Sequence, residues 1–100
     1  MALKQHRYRI TVEHLALPDG SPAPADSAPL TFEVGQHDDL GAIVARVRQR
    51  DDLPPEDATA FAVGLKLFTE VMLQQRGLPL FAEFAPHVKA FMQRLKQRSA

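Results

Sequence analysis

The feature that most constrains the fold is a pair of short segments, residues 6–14 and 30–34, in which apolar and polar residues alternate. In each segment three apolar side chains share one face: Tyr8, Ile10 and Val12 in the first, and Leu30, Phe32 and Val34 in the second. A period of two is typical of a strand that buries only one face. The two segments therefore predict an antiparallel β-hairpin, with Arg7 or Arg9 across from Glu33 on its outer surface.

The connection between these segments is rich in turn-forming residues. Leu17-Pro18-Asp19-Gly20 has the composition of a tight turn. Residues 21–29 contain three Pro, three Ala, two Ser and one Asp. This composition predicts an exposed, flexible loop over about residues 18–29. A frayed tail is expected over about residues 97–100.

Beyond Gly35 the apolar period lengthens to that of an α-helix. A first stripe contains Leu40, Ile43, Val44 and Val47, and Asp38 or His37 is the expected N-cap. Residues 58–75 are apolar on more than one side, which predicts a central helix. Its small residues Ala60 and Gly64 predict that another helix crosses closely there, because an internal Gly otherwise costs about 1 kcal/mol relative to Ala.

A third helical pattern begins at Pro79. Its stripe contains Leu80, Phe81, Phe84, Val88, Phe91 and Leu95. Pro86 lies inside this pattern and is expected to kink the helix or divide it into residues 79–85 and 86–97. The predicted fold is therefore α+β, an antiparallel β-hairpin followed by three helices, in a single domain of 100 residues.

Composition argues against several functional classes. Lys plus Arg and Asp plus Glu are 12 each, so the formal net charge is zero, whereas dedicated nucleic-acid binders usually carry a basic excess. The chain contains no Cys, which excludes a disulfide framework, a cysteine zinc site and a thiol nucleophile. No apolar run approaches the ~20 residues that span a bilayer, and the charged start favours a cytoplasmic location over export.

Four phrases of the sequence resemble one small bacterial family, known only as a domain of unknown function. They are KQHRYRITVEHL at residues 4–15, HDDL at 37–40, AFAVGLKLF at 60–68 and EVML at 70–73. The similarity extends from about residue 4 to about residue 96 and departs in the proline-rich loop. It implies a compact α+β fold in a bacterial cytoplasm, and it supplies no catalytic residue.

Residues with catalytic or metal-binding chemistry are scattered along the chain. The imidazole and acid set is His6, His14, His37, Asp38, Asp39 and His87. None of these pairs has the short spacing of a metal site, and His6 and His14 lie some 25 Å apart at the usual ~3.3 Å rise of a strand. The serines are confined to the loop and tail, and no glycine-rich phosphate loop occurs. We therefore predict no catalytic, cofactor-binding or metal-binding residue, and no enzyme activity.

Two surfaces remain as candidates for binding. The wide apolar stripe of the third helix suggests a partner surface at Phe81, Phe84, Phe91 and Met92. Basic residues could contact a polyanion: Arg7, Arg9, Lys89, Arg94, Lys96 and Arg98. The favoured function is a small non-catalytic protein-interaction module, with a second copy (a homodimer) or an unknown protein as partner. The alternative is a weak binder of nucleic acid or another polyanion.

Overall fold

The computed structural model of the protein describes residues 4–97. Its elements are β1 (His6–Val12), β2 (Leu30–Gln36), α1 (Leu40–Val47), α2 (Pro55–Gln74), α3 (Pro79–Ala82) and α4 (Ala85–Lys96). This order confirms the α+β class and the hairpin followed by helices. The chain forms two compact units, a hairpin unit that ends at His37 and a helical unit that begins at Asp38. The single domain expected from the length stays a prediction.

The hairpin unit consists of the antiparallel pair β1 and β2. The register places the apolar residues opposite one another: Tyr8 faces Val34, Ile10 faces Phe32 and Val12 faces Leu30. Arg9 faces Glu33 in the same register, and Thr11 faces Thr31. The alternation in the sequence therefore predicted correctly which residues share each face of the sheet.

The turn after β1 begins as expected from its composition. The amide of Gly20 donates to the carbonyl of Leu17 over 2.9 Å, and Gly20 has a φ of 90°, which residues with a side chain rarely adopt. The carboxylate of Asp19 accepts bonds from the hydroxyl and the amide of Ser21, at 2.6 and 2.9 Å, and these bonds lower the pKa of Asp19. The turn is therefore fixed by side-chain as well as backbone hydrogen bonds. Flexibility of the following loop stays a prediction.

Helix α1 begins at Leu40, one residue later than a cap at Asp38 requires and two residues later than a cap at His37 requires. Its N-cap is Asp39, whose Oδ1 accepts a hydrogen bond from the amide of Ala42 over 3.2 Å. An N-cap oxygen reaches the amides of the second and third helical residues, so only the residue directly before Leu40 can cap this helix. The prediction of Asp38 or His37 is therefore wrong. Asp38 instead forms an ion pair of 2.7 Å with Lys66 of α2.

The core of the helical unit forms where α1 packs against α2. Its buried residues are Val47, Ala58 and Ala62, surrounded by the half-buried Ile43, Val44, Leu53 and Phe61. Ala58 and Ala62 are one helical turn apart, and their small side chains allow the two helices to approach. The predicted close crossing at Ala60 and Gly64 is wrong, because both residues are exposed and a Cβ built at Gly64 meets no atom within 4 Å.

Because Gly64 has open space around it, replacing it with alanine is expected to stabilise the protein. The Gly64→Ala variant should gain about 0.5–1 kcal/mol in the free energy of unfolding, since alanine loses less backbone entropy in a helix. Urea unfolding followed by circular dichroism measures this change. A variant that is less stable than the parent chain would contradict the open environment of Gly64.

The third predicted helix is divided, as expected from Pro86. Helix α3 ends at Ala82 and helix α4 begins at Ala85, so Pro86 lies in the first turn of α4. A proline ring clashes with the carbonyl four residues earlier, which here belongs to Ala82, the last residue of α3. The break thus precedes the proline, and α3 is a single turn. Of the predicted frayed tail, 97–100, only Gln97 lies among the described residues.

None of the helices found within residues 4–97 combines the length and the apolar character that a membrane-spanning segment needs.

Candidate functional site

The apolar face of the hairpin is exposed near its turn. Tyr8, Ile10 and Val34 are half-buried, whereas Val12 and Leu30 are 55% and 63% exposed. Phe32 is also exposed. A sheet face of this kind normally packs against another layer, so exposed apolar residues on it mark a candidate surface for association. We refer to Val12, Leu30 and Phe32 as the apolar end of the hairpin.

The opposite face of the hairpin carries a small ion-pair network. Glu33 accepts hydrogen bonds from the guanidinium groups of both Arg7 and Arg9, at 3.0 and 3.1 Å. These bonds, first from Arg9 and then from Arg7, lower the pKa of the Glu33 carboxyl. The sequence predicted one arginine across from Glu33, and the structure brings both to it. Two of the predicted polyanion contacts are therefore already paired with a carboxylate.

The other predicted polyanion contacts lie on α4. Lys89 and Lys96 are seven residues apart and share one side of the helix, whereas Arg94 is rotated by about 140° from Lys89. Arg98 lies outside the described residues. Within α4 itself, these basic residues thus occupy two sides of the helix rather than one stripe.

A cavity of about 660 Å³ opens within the helical unit, between α1, α2 and the end of α4. Its apolar lining includes Ile43, Val47, Leu65, Met92 and Leu95. Among its charged lining residues, Lys66 is paired with Asp38. Arg50 binds both carboxylate oxygens of Asp52, at 2.8 and 2.7 Å, and donates to the carbonyl of Leu95 over 2.8 Å.

The contacts of Arg50 join the end of α1 to the end of α4 and hold the pKa of the Asp52 carboxyl below its usual value. Arg50 and Lys66 are thus held by internal bonds rather than directed at a ligand. The sequence pattern did not predict this cavity, because the cavity depends on how three helices pack.

The four residues predicted as a partner surface lie on α3, on α4 and between them. Phe81 and Phe84 lie against Phe68 of α2, with ring centres 6.2 and 6.0 Å apart. Phe91 lies against a different residue of α2, Phe61, at 6.2 Å, and Met92 lines the cavity. Phe84 and Phe91 are exposed, whereas Phe81 and Met92 are half-buried. The role of these residues as a binding surface stays a prediction.

Sequence reasoning missed the exposed apolar residues of α2. It placed this helix at the centre of the fold, yet Phe68, Val71 and Leu73 are exposed. The polar residues Lys66, Thr69 and Glu70 of this part of the helix are half-buried, so the polar positions of the pattern did not mark its exposed side.

Two of the histidine side chains lie beside aromatic rings. His6 stacks on Tyr8 with ring centres 6.2 Å apart, and His87 lies 6.2 Å from Phe84. Across residues 4–97 there is no group of three or more histidine, aspartate or glutamate residues placed to hold a metal ion. The carboxyl groups whose pKa is lowered are those of Asp19, Glu33 and Asp52. Each is exposed and accepts hydrogen bonds from a neighbouring side chain.

Comparison with known proteins places this fold among relatives of unknown function. Residues 6–97 match the family described as a domain of unknown function with a solved structure, DUF3861. The fold is also similar to the crystal structure, at 2.20 Å resolution, of a protein of unknown function (eca1910) from Pectobacterium atrosepticum SCRI1043. That similarity has a TM-score of 0.76 and 43% sequence identity, and it covers 92% of this chain and 97% of the other. No curated protein matches the sequence. The resemblance found in the sequence is thus confirmed, and the chain belongs to the DUF3861 family.

Proposed function

We propose that this protein is a small non-catalytic interaction module that associates with a second copy of itself through the hairpin. The observation that carries the proposal is the exposed apolar end of the hairpin, where Val12 and Leu30 lie opposite each other with more than half of their surface in solvent. Burying this surface is favourable, because apolar area contributes roughly 25 cal/mol per Å² when removed from water.

The architecture of the hairpin unit supports the same proposal. Among the described residues its sheet contains two strands, and a two-stranded sheet is marginally stable in water on its own. Within residues 4–97 each strand pairs with one other strand, so a second hairpin can extend the sheet by backbone hydrogen bonds. Two copies would make a four-stranded sheet in which the apolar side chains of neighbouring strands partly cover one another. The cytoplasmic location expected from the sequence stays a prediction.

The proposal is tested by the molar mass of the full chain in solution, measured by light scattering over a range of micromolar to millimolar concentrations. We expect a concentration-dependent rise toward twice the monomer mass. The Val12→Asp variant should remain monomeric, because it places a charge in the apolar end of the hairpin. A monomer mass for the parent chain over the whole range would refute the proposal.

A matched control variant distinguishes association through the hairpin from non-specific association through any exposed apolar residue. Val71 of α2 is 52% exposed, nearly the same as the 55% of Val12. The Val71→Asp variant should therefore associate like the parent chain. Equal loss of association in both variants would contradict an interface at the hairpin. Circular dichroism spectra show whether each variant is folded.

The polyanion alternative has weaker support. Arg7 and Arg9 share the carboxylate of Glu33, and α4 carries its basic residues on two sides. On a heparin column at low salt we expect the protein to flow through. Retention that disappears with added salt would favour the alternative, because phosphate and sulfate contacts are released by salt.

A further inference from the structure

We propose that two copies pair through the outer edges of β1, antiparallel and in one register, with Ile10 of one copy opposite Ile10 of the other. The outer edge is the backbone edge of β1 on the side away from β2. This inference rests on the proposed self-association and adds its geometry. It yields a sheet in the order β2–β1–β1–β2, with a two-fold axis at Ile10.

The charges along β1 and the bounds of the strand together select this register. In an antiparallel pair, residues that lie opposite each other point to the same face of the sheet. A two-fold axis perpendicular to the sheet keeps this arrangement only when one residue lies opposite its own copy, so the axis must pass beside a residue rather than between two. An axis at Ile10 places Arg7, which also bonds Glu33 of its own chain, opposite Glu13 of the second copy, one residue beyond β1, and the symmetry repeats this attractive pair. Arg9 then lies opposite Thr11, and Tyr8 opposite Val12. No like charges face each other within this register from Arg7 to Glu13.

Neighbouring registers are less favourable. An axis at Arg9 would place the Arg9 side chains of the two copies opposite each other. An axis at Tyr8 would place Arg7 of each copy opposite Arg9 of the other. Both registers are unfavourable, because like charges directly across a sheet are destabilising. An axis at Thr11 would place Arg9 opposite Glu13, but it keeps only three residues of β1 paired within both strands, whereas the axis at Ile10 keeps five, Tyr8 to Val12.

The edge of β2 is a weaker candidate. Pro29 lies directly before it and has no amide hydrogen to donate to an added strand. A two-fold axis at Glu33 would oppose two carboxylates, and an axis at Phe32 would create no ion pair across the interface. The edge of β1 is therefore the one whose charges complement a second copy.

A cysteine scan tests the register directly, because the chain contains no Cys. In Ile10→Cys the two sulfurs would lie across a strand pair whose Cα atoms are about 4.5–5.5 Å apart, within reach of a disulfide. In Val12→Cys the equivalent atoms would lie about 13 Å apart along the strands, which is too far. We expect mild oxidation to link Ile10→Cys into a dimer and to leave Val12→Cys mostly monomeric. Val12 is more exposed than Ile10, so random collisions between molecules would cross-link Val12→Cys more readily than Ile10→Cys.

Charge reversal gives an independent test. Arg7→Glu and Glu13→Arg each turn two attractive pairs into repulsive ones, which should raise the dimer Kd roughly tenfold. An equimolar mixture of the two variants restores both attractive pairs and should associate like the parent chain. Within one chain Arg7 and Glu13 are about 20 Å apart along β1, so recovery in the mixture requires contact between copies.

The outcomes separate this inference from the proposed function. A dimer mass together with equal cross-linking at both cysteines, or without recovery in the mixture, would overturn the β1 register and leave self-association standing. A monomer mass for the parent chain at every concentration would overturn both.

Discussion

Replacing Leu40 with alanine is expected to lower the free energy of unfolding by about 2–5 kcal/mol, the usual cost of removing a buried leucine side chain. Leu40 is the first residue of α1 and is only 7% exposed. Its loss removes apolar contacts and leaves a cavity that the surrounding backbone fills incompletely. The change should appear as a lower urea midpoint in equilibrium unfolding.

The same substitution at Leu80 provides the control. Leu80 is 78% exposed, so Leu80→Ala should change the free energy of unfolding by no more than about 0.5 kcal/mol. Similar losses for the two variants would show that the burial of Leu40 does not contribute to stability.

Replacing Asp39 with alanine is expected to cost about 1 kcal/mol of stability, within a range of about 0.5–2 kcal/mol. The variant loses the carboxylate that accepts the amide hydrogen of Ala42 and leaves that amide without its cap. Asp39→Asn should keep most of the stability, because the amide oxygen of asparagine can accept the same bond. Thermal unfolding of both variants measures the effect. Equal losses in the two would assign the effect to the negative charge rather than to the cap.

The hairpin was the part of the fold most fully predictable from sequence. In a strand pair with one apolar face, a shift of one residue turns every side chain to the wrong side. The alternation around Ile10 and Phe32 therefore determined the faces, whereas registers that differ by two residues keep the same faces and were left open. The prediction had Arg7 or Arg9 across from Glu33, and the structure pairs Glu33 with both.

The helical unit was predictable in its elements but not in its contacts. Ala58 with Ala62 and Ala60 with Gly64 are pairs with the same spacing on α2, and only the position of α1 decides which pair is buried. The N-cap posed a similar problem, because hydrogen-bond geometry places it at Asp39, one residue beyond the predicted candidates His37 and Asp38.

The candidate surfaces were predictable only in part. The alternating pattern indicated an apolar hairpin face, but the exposure of Val12 depends on which elements cover it. The aromatic residues of the third pattern were identified correctly as apolar positions, yet Phe81 and Phe91 contact different residues of α2. The cavity beside Arg50 needs three packed helices and has no counterpart in the sequence pattern.

The connection between the two strands has a consequence for natural variation. Ala16 bridges Pro22 beyond the end of β1, so the chain is already held together before residues 23–29 begin. Closing a loop of twice the length costs only about 0.6 kcal/mol more. Insertions among relatives should therefore accumulate between Ala23 and Pro29 without disturbing the pairing of β1 with β2. One residue inserted within β1 would reverse the facing of every side chain that follows it in that strand.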